Sequence, residues 1–173
     1  MKFLAQLTLL LSLSLTSQTH ASPANCASLP ANAAAWWRAE NNSRDSVDTH
    51  HGTLLNGAGF ADGRVGRAFA FDASQQSAVQ IPTPAELTNP TAITLEAWVY
   101  PTSFPNAAPS VFRKASNDMG APQFLLAVGD GATPGLPHFN PGVAGAAPTG
   151  ATPLPLNTWT HLAGSYDQGL RMS

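Results

Sequence analysis

The sequence predicts an all-β fold, an antiparallel β-sandwich, on three observations. Beyond the N-terminal segment, no stretch sustains the 3.6-residue apolar period of an amphipathic helix over a window of about 11 residues. Short runs rich in Val, Ile, Phe, Trp and Tyr alternate instead, and Gly, Pro, Asn and Asp punctuate them. Charged residues make up 10% of the chain while Gly (14) and Pro (15) are plentiful, which suits short strands joined by turn-rich loops.

The N-terminus is set aside before the fold is read. Met1-Lys2 is a short positive region, Leu4 to Leu15 is apolar, and Thr19-His20-Ala21 offers the small residues a signal peptidase takes. A membrane span needs about 20 apolar residues. Residues 1–21 are therefore read as a signal peptide cleaved after Ala21, with no transmembrane segment in the mature chain. The product is expected to be secreted, periplasmic or at the cell surface. Residues 22–33, "SPANCASLPANA", are small and polar and read as a linker, leaving 34–173 as the domain. Cys26, the only cysteine, cannot form an internal disulfide and is read as incidental, with a free or intermolecular thiol as the alternative. The formal net charge is −2 with no block of like charge, so there is no footprint for nucleic acid or anionic lipid.

The domain opens on Ala34 to Ala39, a strand-like run containing Trp36 and Trp37. "ENNSRDSVDTHHG" (Glu40 to Gly52) follows as a polar loop, because Asn, Asp and Ser side chains bond their own backbone. Thr53 to Leu55 is a short strand stopped by Asn56-Gly57. In "GRAFAFDA", Phe69 and Phe71 share one face and Ala68 and Ala70 the other. "SAVQIP" places Val79 and Ile81 together, with Pro82 as the stop.

"AITLEAWVYP" carries the strongest strand signal. Ile93, Leu95, Ala97 and Val99 form one face, and Thr94, Glu96, Trp98 and Tyr100 the other. The second face is not plainly polar, so the strand is expected to be central and covered on both sides. Ser110 to Arg113 and Gln123 to Val128 are two further strands, separated by a turn at Asn117 to Gly120. Gly129 to Pro155 is a Gly- and Pro-dense loop region with one short strand at His138 to Asn140. Trp159 to Tyr166 is the last strand, followed by the turn Asp167-Gln168-Gly169.

Three stretches together, "GRVGRAFAFDASQQSAVQIP", "AITLEAWVYP" and "LPLNTWTHLAGSYD", resemble the laminin-G-like jelly-roll domains of the concanavalin A-like lectin/glucanase superfamily. "WWRAENNSRDSVDTHHGTLLNGAGFADG" resembles the usual opening of that family, including the His-Gly before the second strand. The resemblance runs from about Trp36 to Asp167 in the family's order. It implies further strands after the final turn, so the domain is expected to be a fragment lacking its last strands, with Leu170 to Ser173 frayed. It also implies a non-catalytic module that binds glycan or extracellular protein partners, as part of a larger secreted or surface protein. A structural spacer, or an accessory domain of a secreted carbohydrate-active enzyme with no ligand of its own, is the alternative.

Glycoside hydrolysis needs two carboxyl groups about 5–9.5 Å apart. The chain has only Glu40, Glu86 and Glu96, and none has an acidic neighbour at the i+2 spacing that shares a strand face. No Gly-x-Ser-x-Gly elbow is present. No enzyme activity and no catalytic residue are therefore expected. His50 and His51 are adjacent and would point apart on an extended chain, which argues against a zinc pair. His161 is expected to pack beside Trp159. Asn42, Asp45 and Asp48 offer hard oxygen ligands of the kind calcium takes, in one loop. A calcium ion held there is set against a solvated Asx-rich turn. Trp36, Trp37, Trp98 and Trp159 are candidate stacking platforms for a sugar, although the family pattern implies that each fills core. Which residues bind a ligand is left unknown. Asn41-Asn42-Ser43 has the form of a glycosylation acceptor.

Overall fold

A computed structural model of the chain describes residues 29–82, 87–88, 90–104, 109–115, 122–129, 131–143 and 147–168. Residues 1–21, expected to be a signal peptide, together with Cys26, Glu86, the expected turn at Asn117 to Gly120 and Leu170 to Ser173, lie outside the described residues. The chain divides into two units, Met1–Ala33 and Ala34–Ser173. In the first, the Ala33 N–H closes a turn on the Pro30 carbonyl at 3.0 Å. The second carries all the strands described below.

In chain order these are β1 Thr53–Leu55, β2 Gly59–Asp62, β3 Arg67–Ala70, β4 Ala78–Gln80, β5 Ala92–Val99, β6 Ser110–Ala115, β7 Pro122–Val128, β8 Pro137–Asn140 and β9 Thr160–Asp167. Every pairing is antiparallel: β1 with β4, β2 with β3, β5 with β9, and β6–β7–β8 as a three-stranded sheet. A single turn of 3-10 helix, Ala73–Gln75, interrupts the β3–β4 connection, its N-terminus capped by Asp72 accepting from the Ser74 N–H at 2.8 Å. Among the described residues there is no α-helix, and no helix is long and apolar enough to cross a membrane.

The core lies between the inner faces of β5–β9 and β6–β7–β8. Leu126, Val128, Phe139, Leu154 and Leu162 are buried there, with Ile93, Leu95, Val99, Val111, Phe112 and Tyr166 packed against them. Alternation explains the first layer: Ile93 faces Tyr166, Leu95 faces Gly164, and Ala97 faces Leu162 across the ribbon. Gly164 leaves room for the Phe139 ring of the other layer. Burying each Leu, Val or Phe contributes about 1.5–3 kcal/mol, so this seam holds the two layers together.

The strand covered on both faces is β7, where Phe124, Leu126, Ala127 and Val128 are all buried between β6 and β8. That corrects the expectation for β5, whose residues alternate between exposed and half-buried along its whole length. The run "FLLAV" is continuously apolar, which is the mark of a two-sided strand. "ITLEAWV" keeps Thr94 and Glu96 on the outer face, and those residues belong in water.

Three further boundaries differ from expectation. Ala34 to Ala39 does not form a strand. Only an isolated bridge joins Trp37 to Asp45, because Ala39 takes a left-handed φ of 61° and turns the chain. Gly59–Asp62, where the sequence suggested no strand, pairs with Arg67–Ala70 as a hairpin whose turn is closed by Gly63 N–H to the Gly66 carbonyl at 2.9 Å. Phe71, expected to extend β3, lies past its end and is exposed, although its ring packs on Phe69 with centroids 6.0 Å apart.

Candidate functional site

The loop from Glu40 to Gly52 is organised around one carboxylate. Asp45 is buried, and its Oδ1 accepts from the backbone N–H of Trp36 at 2.8 Å and of Val47 at 2.9 Å. Its Oδ2 lies 3.0 Å from His50 Nδ1, and His50 is buried beside it. Burial pushes the Asp45 carboxyl up, but the N–H groups of Trp36 and Val47, then His50 and the Asp48 backbone, outweigh it and hold the group below the usual carboxylate range. The backbone N–H of Asp45 donates in turn to His51 Nδ1 at 3.2 Å. His51 thus presents Nδ1 as an acceptor to the backbone, whereas His50 turns Nδ1 toward a carboxylate.

The rest of the loop is tied to the same centre. The Ser43 hydroxyl donates to the Gly52 carbonyl at 2.5 Å, and the Gly52 N–H returns to the Ser43 carbonyl at 2.8 Å. Trp37 Nε1 donates to the His50 carbonyl at 2.7 Å while its ring packs on Phe112, with centroids 6.5 Å apart. Asn42 is exposed, its Oδ1 accepting from the Arg44 N–H at 3.0 Å and its Nδ2 donating to the Glu40 carbonyl at 2.7 Å. Asp48 is exposed.

The Asn42 and Asp45 oxygens offered for a calcium ion are engaged within the loop itself. Calcium takes six to eight oxygens with lone pairs directed at it, but both Asp45 oxygens already accept from donors and Asn42 Oδ1 is engaged in its own turn. Among the described residues, no three His, Cys, Asp or Glu side chains are grouped to hold a metal. The loop closes on itself through these hydrogen bonds.

The exposed chemistry gathers on the outer face of β5–β9. The register sets Trp98 opposite His161, and their rings lie 5.3 Å apart. One step further out, Tyr100 meets Trp159 at 5.4 Å. Trp98 keeps 49% and Tyr100 44% of their surface in solvent. Arg64, from the tip of the β2–β3 hairpin, lays its guanidinium 4.5 Å over the Trp98 ring. Glu96 stands two residues before Trp98 on the same face, its Oε2 3.7 Å from His161 Nε2.

The face therefore combines flat apolar rings with one fork of donors and one carboxylate acceptor. Such a mixture suits a ligand with an apolar face and polar edges. The positions flanking Glu96 on this face are Thr94 and Trp98, and the residue opposite is Ala163, so none of them offers a second carboxylate.

Burial of all four Trp was expected from the resemblance. Trp37 and Trp159 are half-buried, but Trp98 and Trp36 are exposed, the latter with Arg38 at 5.2 Å over its ring. The polar company of Trp98, with Thr94 and Glu96 at the same parity, was the sequence signal for an outward ring. Its cation was not legible, because Arg64 arrives from a hairpin that the sequence pattern did not reveal. His161 packs, as its strand position suggested, but across the ribbon on Trp98.

Comparison with the curated proteins and comparison with the solved structures each give no match. The laminin-G-type family model of the concanavalin A-like lectin/glucanases superfamily matches residues 72–172, a span that takes in β4 to β9 and so both layers of the core. With more than half of its sequence matched and with antiparallel sheets packed face to face, the chain belongs to the concanavalin A-like lectin/glucanases superfamily.

Proposed function

We propose that this chain is an exported, non-catalytic recognition module that binds a glycan or an extracellular protein through the outer face of β5–β9. Its family suggests a carbohydrate- or protein-binding module. The observation that carries the reading is the pair of tilted ring contacts, Trp98 with His161 and Tyr100 with Trp159, which leave Trp98 and Tyr100 exposed on one antiparallel ribbon. Aromatic side chains lose little conformational entropy on binding and supply much of the contact energy in recognition sites. Export is supported by the leader-like residues 1–21. The absence of a paired carboxylate around Glu96 supports a role without hydrolysis.

The test is a glycan array and an array of extracellular proteins, each probed with the wild-type chain and with Trp98→Ala. Binding by the wild type that falls at least about tenfold in the variant, the scale of a Trp hot spot, supports the reading. Turnover of a glycan by the purified chain would overturn it. Binding to nothing on either array would leave the spacer role in its place.

A further inference from the structure

We propose that Asn56 is a site of spontaneous deamidation, gated by the turn that holds it. The proposal stands on this turn alone and is independent of the recognition face. Of the asparagines in the chain, only Asn56 is followed by glycine, whereas Asn89 and Asn140 precede proline and so face a nitrogen without a proton. Asn56 is exposed, at the corner where the chain leaves β1 and enters β2. A Cβ on Gly57 would meet nothing within 4 Å, so no distant part of the chain crowds that side of the turn. Asparagine is among the residues whose chemical lability limits proteins on heating.

The chemistry needs only water. The Gly57 backbone nitrogen attacks Cγ of Asn56, and a new N–C bond closes a five-membered succinimide. The bond from Cγ to the side-chain nitrogen breaks, and that nitrogen leaves as ammonia, taking up the proton released from Gly57. Water then opens the ring at either carbonyl. One opening gives aspartate, and the other gives isoaspartate with the main chain rerouted through Cγ.

The folded turn resists this step. Asn56 and Gly57 have φ of 51° and 76°, and the Ala58 N–H bonds the Leu55 carbonyl at 3.0 Å. These are the left-handed values of a type I′ turn. The Asn56 Nδ2 also donates to the Gln76 carbonyl at 3.2 Å, tying the leaving amide to the end of the 3-10 helix. Both bonds must loosen before Gly57 N can swing onto Cγ. Conversion therefore reports opening of this corner. The product loses the tie to Gln76, gains a negative charge and, as isoaspartate, lengthens the backbone by one carbon.

The experiment holds the full chain at neutral pH and follows every asparagine by peptide mapping with mass detection, once folded and once in denaturant. The expected result is exchange of NH₂ for OH at Asn56 ahead of every other asparagine, with both isomers present. The folded chain should be slower than the unfolded one by roughly tenfold, the hold expected of one or two net hydrogen bonds. In Asn56→Gln the early release of ammonia should be lost. Earlier conversion of another asparagine in the folded chain, or equal rates folded and unfolded, would overturn the proposal.

Discussion

The ring of Phe139 occupies the space that a side chain at Gly164 would need: a Cβ there would lie 2.5 Å from the ring's Cγ and Cδ2. Gly164 sits on β9 and Phe139 on β8, so this contact joins the two layers of the sandwich. Gly164→Ala is expected to destabilise the chain by about 1–3 kcal/mol, the usual cost of overpacking a core. Chemical denaturation measures it. Phe139→Leu alone should also destabilise, but in the double variant part of the Gly164→Ala cost should be recovered, because the two changes share one space. Simple additivity in that cycle would mean that the strain lies elsewhere.

A second expectation concerns Asp45. Its carboxylate serves the N–H groups of Trp36 and Val47 and sits beside His50, all within a closed loop. Asp45→Ala leaves those donors without an acceptor and should cost about 3–5 kcal/mol, the range for breaking a buried pair from one side. The pH dependence has a defined sign. A carboxyl held below its ordinary value of 3.8 stabilises the fold above that pH, and the contribution is lost as the pH falls through the lower folded value. The wild type should therefore lose stability at the acid end of its profile, and Asp45→Asn should flatten that part of the curve. An unchanged acid limb in the variant would show that Asp45 does not carry it.

How far these features were legible in the sequence depends on whether the information was local. The two-fold alternation of "AITLEAWVYP" gave β5 and its division into two faces, and "TWTHLAGSY" gave β9 with its bounds one residue early, at Trp159 to Tyr166 rather than Thr160–Asp167. Strand patterns are local, and the resemblance supplied the sandwich. The position of β5 within its layer was not local. It depends on which strands lie beside it, and β7 takes the two-sided place instead. The loop was read correctly as Asx-rich, yet the role of Asp45 was not legible, since its partners Trp36 and His50 lie nine and five residues away and are brought in by the fold. The Arg64–Trp98 contact spans two separate ribbons and left no trace in the chain's periodicity.

Calcium gives a third test, because the sequence suggested it and the geometry does not favour it. An ion bound to the native state alone would stabilise it by mass action and raise Tm. With both Asp45 oxygens already engaged, Tm is expected to be the same in millimolar calcium as in chelator. A clear rise that disappears in Asp48→Ala would show that the loop rearranges to take the ion.

The last prediction addresses the recognition face directly. Arg64 lies 4.5 Å over the Trp98 ring, but both residues are largely in solvent, so the contact is worth only about 0.5–1 kcal/mol. Arg64→Ala should change stability by no more than about that amount while uncovering one face of the indole. Quenching of tryptophan fluorescence by acrylamide should then increase. Three other tryptophans contribute to the signal, so the comparison is repeated with Trp98→Phe, where adding Arg64→Ala should leave quenching unchanged. If quenching rises equally in both backgrounds, Arg64 shields another ring. If it rises only with Trp98 present, then a ligand stacking on that side of the ring must first displace the guanidinium or bond to it. In that case Arg64→Ala should alter affinity for any partner of this face without altering the fold.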